Sequence, residues 1–309
     1  MTVPSLSLLN RSAAFQGVFW MVITSFLFVG MTGIVRHLGT DVPAMQAAFV
    51  RYLFGVLFIM PFLLQMFKSP PSGKIIKLFT IRGIIHGLGV ILWFYAMARI
   101  PIAEVTAIGY AAPIFVTIGA ALFLGERLQI RRVTGVIIGC IGTLIILRPG
   151  FQDLNLGQLS QLCATPLFAA SFLIAKKLTG TQKSSVIVGM LSVFCMLTLL
   201  PGAIYQWRPL TLEETLWLAL TAALATAGHY TMTRALQAAP ITLTQPLNFL
   251  QLVWAVILGM ALFGEPVDPY VILGGGLIIS ATTYIAHREM KVSKAQNKQP
   301  PSKESEAPL

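Results

Sequence analysis

Residues Arg99–Glu126 read RIPIAEVTAIGYAAPIFVTIGAALFLGE, and residues Ala239–Glu265 read APITLTQPLNFLQLVWAVILGMALFGE. At a constant offset of 139 residues, Pro101 falls on Pro240, Ile102 on Ile241, Ile118 on Ile257, Gly125 on Gly264 and Glu126 on Glu265, without a gap. The same offset carries Ala96 onto Ala235, Gly135 onto Gly274 and Thr143 onto Thr282. Two apolar helices can resemble each other through composition alone. Shared Pro-Ile and Gly-Glu ends at one fixed separation ask for more, namely a common register, so the chain reads as a doubled unit.

Composition sets the solvent. Of 309 residues, 56% are hydrophobic and 11% are charged, against roughly 25% charged in an average soluble domain. A soluble fold cannot hide that much apolar surface, so the chain is expected to be a polytopic membrane protein. The net charge of +11 does not point to nucleic acid, because the basic residues sit in short clusters between apolar runs. That is a topology signal. Cys140, Cys163 and Cys195 all lie within apolar runs, with no CxxC and no nearby His at ligand spacing, so they read as small packing residues.

A span needs ~20 apolar residues at ~1.5 Å each. Ten candidates follow in order: Phe15–Val35, Ala44–Met66, Phe79–Ala98, Ile102–Leu124, Val133–Leu147, Leu156–Ala175, Ser185–Tyr205, Thr215–Leu236, Ile241–Phe263 and Pro269–Ala286. The first is not followed by an A-x-A cleavage site and is read as an uncleaved helix. The connections are too short for a folded soluble domain. With the N-terminus placed in the cytoplasm, 17 of the 22 basic residues fall on the cytoplasmic side, leaving Arg36, Arg51, Arg99, Arg148 and Arg208. This bias predicts that both termini are cytoplasmic. Five helices per half then force the second half to enter the membrane with opposite polarity. A weaker echo at an offset of 140 places Gly17, Leu27, Phe28 and Leu38 on Gly157, Leu167, Phe168 and Leu178. The expected fold class is an all-α polytopic membrane protein of ten transmembrane helices, built as two inverted five-helix repeats over 15–149 and 156–288. A polar segment at 289–309, rich in Lys and Glu with prolines near its end, is expected to be a disordered cytoplasmic tail. Inverted repeats of this kind build secondary transporters.

Charge within a bilayer costs at least ~2.5–3.5 kcal/mol at a helix centre, so each buried polar group needs a reason. Arg51 lies about two turns into helix 2, and Glu104 opens helix 4. No Asp or Glu falls at the middle of a predicted span, which leaves Glu104 and Arg51 as candidates for an outer gate or for coupling. Polar stripes run at helical spacing through Arg82, His86, Gly89 and Trp93 in helix 3 and through Thr106, Tyr110, Pro113 and Thr117 in helix 4. Thr226, His229 and Thr233 share a face of helix 8. Thr244, Asn248 and Gln251 line helix 9 beside Gln245-Pro246. Trp93, Tyr110, Asn248, Gln251, His86, His229, Thr106 and Gln245 are therefore the candidate solute contacts, because lipid cannot satisfy their polar groups. Blander roles stand beside these. The aromatics can be packing residues, the imidazoles and amides can be interhelical glue, and Arg51 can pair with Glu104 or Asp41. Glu126 and Glu265 read as boundary residues, and Gly274-Gly275-Gly276, with Gly135 and Gly139, as close helix packing. Pro113 and Pro246 each free a carbonyl and permit a bend. No HExxH, no GxSxG in a strand–helix context and no Walker loop occurs, so neither an enzyme nor a cofactor or metal site is expected.

RYLFG (Arg51–Gly55), WFYAMARIPIAEVTA (Trp93–Ala107), YAAPIF (Tyr110–Phe115), LGE (Leu124–Glu126) and ILRPG closing helix 5 resemble the EamA family of the drug/metabolite transporter superfamily. The resemblance covers about residues 15–288. It implies a ten-helix carrier of the bacterial inner membrane, with a central cavity lined mainly by helices 3, 4, 8 and 9. Expected partners are a small organic solute and the bilayer, with no nucleic acid; a homodimer stays open. The solutes it implies are amino acids or related metabolites leaving the cell, or a vitamin or nucleoside-like cofactor taken up. The small multidrug branch uses a carboxylate in helix 1. Helix 1 has none here, so that coupling scheme does not carry over. A passive channel and a membrane scaffold or sensor are the rival classes. The interrupted polar stripes and the short loops disfavour them.

Overall fold

The computed structural model describes residues 6–66, 71–112, 115, 130–148, 154–239, 247 and 250–296. Among them are ten helices and no strand. The first repeat supplies α1 (Leu6–Leu38), α2 (Ala44–Met66), α3 (Gly73–Met97), α4 (Ile102–Gly109) and α5 (Ile130–Leu147). The second supplies α6 (Leu156–Thr179), α7 (Ser184–Tyr205), α8 (Leu212–Ala238), α9 (Leu250–Phe263) and α10 (Pro269–Gln296). Five of these (α1, α2, α3, α6 and α7) hold spans long and apolar enough to cross a membrane. Large apolar side chains such as Phe26, Leu57, Phe58, Leu144, Leu197 and Ile257 point outward from the middles of their helices. Water would penalise that surface, and lipid does not.

Helices pack chiefly across the two repeats. α1 lies on α8, and its counterpart α6 lies on α3; α2 lies on α7 and α5 on α10. Exchanging the repeats maps this pairing onto itself. The pairs run antiparallel. Met45 faces Gly202, Gly55 faces Ser192 and Leu63 faces Gly189 along α2 and α7. Ile100 faces Gly157 and Phe168 faces Gly89 along α3 and α6. Likewise Thr24 bonds Thr231 at 2.8 Å, and His37 meets Trp217 edge-on. Short connections make α1 and α3 point the same way, and α8 opposes α1. The counterparts α3 and α8 therefore point in opposite directions, and the repeat is inverted.

The closest backbone approach joins α5 to α10. A methyl group at Gly142 would lie 2.7 Å from the Gly274 carbonyl oxygen, and a methyl group at Gly274 would strike the Gly142 carbonyl in return. Gly274 is thus a packing glycine, as its run suggested, and its partner is Gly142.

Several elements differ from the expected spans; α1 starts at Leu6 and α3 at Gly73, ahead of the expected Phe15 and Phe79. α4 ends at Gly109, and Tyr110 caps it in the right-handed region. Pro113 and nearly all of the expected span beyond it, to Leu124, lie outside the described residues. α8 starts at Leu212 because Thr211 and Glu214 form a capping box, and α6 starts behind the matching box of Asn155 and Gln158. α10 runs on to Gln296, past the expected end at Ala286. Its added residues, HREMKVSKAQ, contain no Gly or Pro to stop a helix.

Candidate functional site

A cavity of about 320 Å³ lies between the repeats, within the range of small-molecule sites. α3 turns Arg82, His86, Val90 and Trp93 into it, and α4 supplies Val105, Thr106, Gly109 and Tyr110. The predicted α3 stripe is off by one position, since Gly89 instead packs on Phe168 and Leu167. α8 contributes His229 and Met232, and α9 contributes Gln251. Thr233 turns away into the core, where its hydroxyl donates to the His229 carbonyl at 2.7 Å.

Seven of the sequence candidates thus meet in one cavity: Trp93, Tyr110, Gln251, His86, His229, Thr106 and Arg51. Arg51 was expected near an outer gate and stands in the cavity wall instead. Among the described residues no ion pair joins it to Glu104 or Asp41; its guanidinium lies 4.3 Å over the Tyr52 ring. Glu104 sits apart from the cavity, where its carboxylate accepts from Gln158 Nε2 at 2.5 Å. This contact ties the start of α4 to the start of α6. Asn248 and Gln245 lie outside the described residues.

The reading by stripes missed the walls built by α1 and α6: Phe28, Thr32, Gln161, Phe168 and Ser171 among them. One signal was present, the echo that sets Phe28 on Phe168. In three dimensions Phe28 packs edge-on against His229 at 5.1 Å, and Phe168 packs against His86 at 5.0 Å. The two imidazoles lie 5.4 Å apart, and His86 Nδ1 is 3.0 Å from the Ser171 hydroxyl. Each repeat therefore supplies one Phe and one His, and each Phe packs on the His of the other repeat. The result is a flat-walled chamber edged with hydrogen-bonding groups, suited to holding a small solute.

One end of the bundle is tied by charge. Arg36 pairs with Glu265 at 2.8 Å, Arg148 with Asp268 at 2.5 Å and Arg208 with Glu214 at 2.5 Å. The hydrogen bond from Arg208, joined by the Thr211 N–H, pulls the Glu214 carboxyl down to about 2. Glu265 also accepts the Ile102 N–H at 3.0 Å, so it caps α4 of the other repeat. At the opposite end Lys176, which matches Arg36 in the repeat, donates to the Leu236 carbonyl at 2.7 Å. Arg36 makes the equivalent bond to the Met97 carbonyl at 3.1 Å.

The sequence profile of the EamA-like transporter family matches residues 15–148 and again residues 155–286. A riboflavin transporter of Rhizobium johnstonii is 33% identical over 285 residues, covering 91% of this chain and 94% of its own. An S-adenosylmethionine uptake transporter of Rickettsia bellii is 26% identical, with 89% and 94% covered. A pseudopaline exporter of Pseudomonas aeruginosa is also 26% identical, with 86% and 94% covered. With two successive matches spanning the helical bundle and a central cavity between them, this chain belongs to the EamA-like transporter family and is a multi-pass membrane transporter of a small solute, not an enzyme.

Proposed function

We propose that the chain is an alternating-access carrier of the bacterial inner membrane for a planar, ring-bearing metabolite of the vitamin or nucleoside-like class. The observation that carries this reading is the pair of facing Phe–His units, Phe28–His229 and Phe168–His86, with Trp93 and Phe172 completing the walls of the same cavity. Flat aromatic faces reward a flat solute, because offset and edge-on ring contacts add to simple burial. Thr32, Thr106, Gln161, Ser171 and Gln251 offer hydrogen bonds around the rim. Asn248 and Gln245 are proposed to add further amides on the strength of their helical spacing alone. The riboflavin and S-adenosylmethionine carriers among the relatives support the ring-bearing class. Export of an amino acid or related metabolite is the second reading, supported by the pseudopaline exporter.

The bias of the basic residues supports cytoplasmic termini, and on that reading the end tied by Arg36–Glu265 faces outward. Glu104 holds that outer end through Gln158 rather than through Arg51. The test is flux into proteoliposomes of riboflavin, adenosine, S-adenosylmethionine and aromatic amino acids. Saturable movement of a ring compound, reduced in Trp93→Ala and Phe168→Ala, is expected. Movement of amino acids alone selects the second reading. A fluorescent protein fused after Leu309 is expected to glow in cells, as only a cytoplasmic fusion does.

A further inference from the structure

Arg51 and Arg82 both line the cavity while only 5% and 1% of their surfaces are exposed. Arg82 gives one N–H to the Ile187 carbonyl at 3.1 Å, and Arg51 rests over Tyr52. Beyond that each is under-used: the Nε of each guanidinium is buried without a hydrogen-bond partner. Both charges act on His86 and His229, so the four groups share one electrostatic neighbourhood. The acidic side chains that the structure describes are Asp41, Glu104, Glu213, Glu214, Glu265 and Asp268. All six lie at the ion-paired end, and none lines the cavity.

Two buried cations with no counter-charge among the described residues are an expensive arrangement. A buried ion is ordinarily paired, and like charges in a poorly screened chamber repel. A guanidinium keeps its charge at any physiological pH, so it cannot escape by losing its proton. With no described carboxylate in reach, a charge brought by the solute is the way to compensate the pair. We propose that the solute carries an anionic group, a carboxylate or a phosphate, that docks on Arg51 and Arg82 while its ring lies between the Phe–His pairs. This rests on the carrier reading above and narrows it. A neutral ring compound is held less tightly, and a solute of net positive charge is rejected. Guanidinium is suited to this task because its fixed N–H fork matches two oxygens of either anion.

The test measures the rise in melting temperature of purified protein with two ring families. One is riboflavin, its 5′-carboxylate and its 5′-phosphate; the other is adenosine, its 5′-carboxylate and its 5′-monophosphate. 5′-Amino-5′-deoxyadenosine, which carries a cation and no anion, is the contrary probe. Within at least one family the anionic members are expected to bind about tenfold or more tighter than the neutral parent. Arg51→Gln and Arg82→Gln are each expected to erase most of that preference. Carboxylate binding without phosphate binding, or the reverse, identifies the source of the charge. If neutral and anionic members bind equally to the wild type, or if 5′-amino-5′-deoxyadenosine binds tightest, the inference is overturned while the ring-carrier reading stands. If no ring compound of any charge binds, that reading itself fails and takes this inference with it. The wild-type comparison needs no variant, so a poorly folded Arg82→Gln protein leaves the answer intact. Arg51→Lys, which keeps the charge and loses the fork, is expected to retain part of the preference.

Discussion

The guanidinium of Arg36, at the end of α1, lies 2.8 Å from the Glu265 carboxylate in the connection between α9 and α10. The same carboxylate caps α4 at Ile102. One side chain of the second repeat therefore holds two helices of the first. A carrier that opens at this end must release them.

Glu265→Gln keeps the shape and the acceptor for Ile102 but drops the ion pair. The pair is mostly buried, so about 1–2 kcal/mol of stability is expected to go with it. That lowers the melting temperature in detergent by a few degrees. In a cysteine-free background, Thr106→Cys is expected to react faster with an impermeant thiol reagent once Glu265→Gln is added. Unchanged labelling would mean that the pair does not hold this end shut.

Gly142 and Gly274 predict a contrast within one helix. Gly274→Ala puts a methyl group into the Gly142 carbonyl and forces α5 from α10. A loss of about 1–3 kcal/mol is expected, the usual cost of overpacking. Gly276 has nothing within 4 Å of where its methyl would lie. Gly276→Ala is expected to be neutral or to stabilise by about 0.5–1 kcal/mol through helix propensity. Thermal unfolding of the two variants side by side reads both effects.

The two Phe–His units predict equal and separable losses. Phe28→Leu and Phe168→Leu each remove one ring contact from the cavity, worth about 0.5–1.5 kcal/mol. Affinity for a ring-bearing solute is expected to fall about 2- to 12-fold for either variant, with little change in folded yield. Titration by fluorescence quenching measures it. A loss confined to one of the two would show that the solute lies against a single Phe–His unit.

Glu214 predicts an acid response. Its carboxyl stands at about 2, against an ordinary value of 4.5. A depressed carboxylate stabilises the fold above its unfolded pKa and stops doing so as pH falls through its folded pKa. The contribution is therefore present at neutral pH and is lost between about pH 4.5 and 2. The pair with Arg208 lies at the surface and is screened, so the effect is small. Wild type is expected to lose slightly more melting temperature than Glu214→Gln between pH 5 and 3, and salt near about 0.5 M is expected to shrink the difference.

Much of the bundle could be read from one dimension. Apolar runs and their basic borders gave the helices, because a span long enough for the bilayer has few other uses. α2 matches its expected limits at both ends, Ala44 and Met66. The α3 stripe missed Val90 because an ideal helical wheel does not know which neighbour fills a groove. Here Phe168 fills the space over Gly89 and turns Val90 to the cavity.

The sequence by itself determined that this chain is a doubled, helical, membrane-embedded unit, since duplication and hydropathy are linear properties. Only the tertiary structure decided which polar groups share a cavity. Arg51 reads along α2 as a gate candidate two turns in, and the packing of α2 on α7 and of α3 on α6 sets it in one cavity wall with His86 and His229. Phe28 and Phe168 stand out in the sequence only as echo positions, and the inverted pairing brings both to the wall of one chamber. Register along a helix is local, whereas the choice of facing helix belongs to contacts between residues more than 100 positions apart, such as Thr24 with Thr231. No local pattern carries that choice.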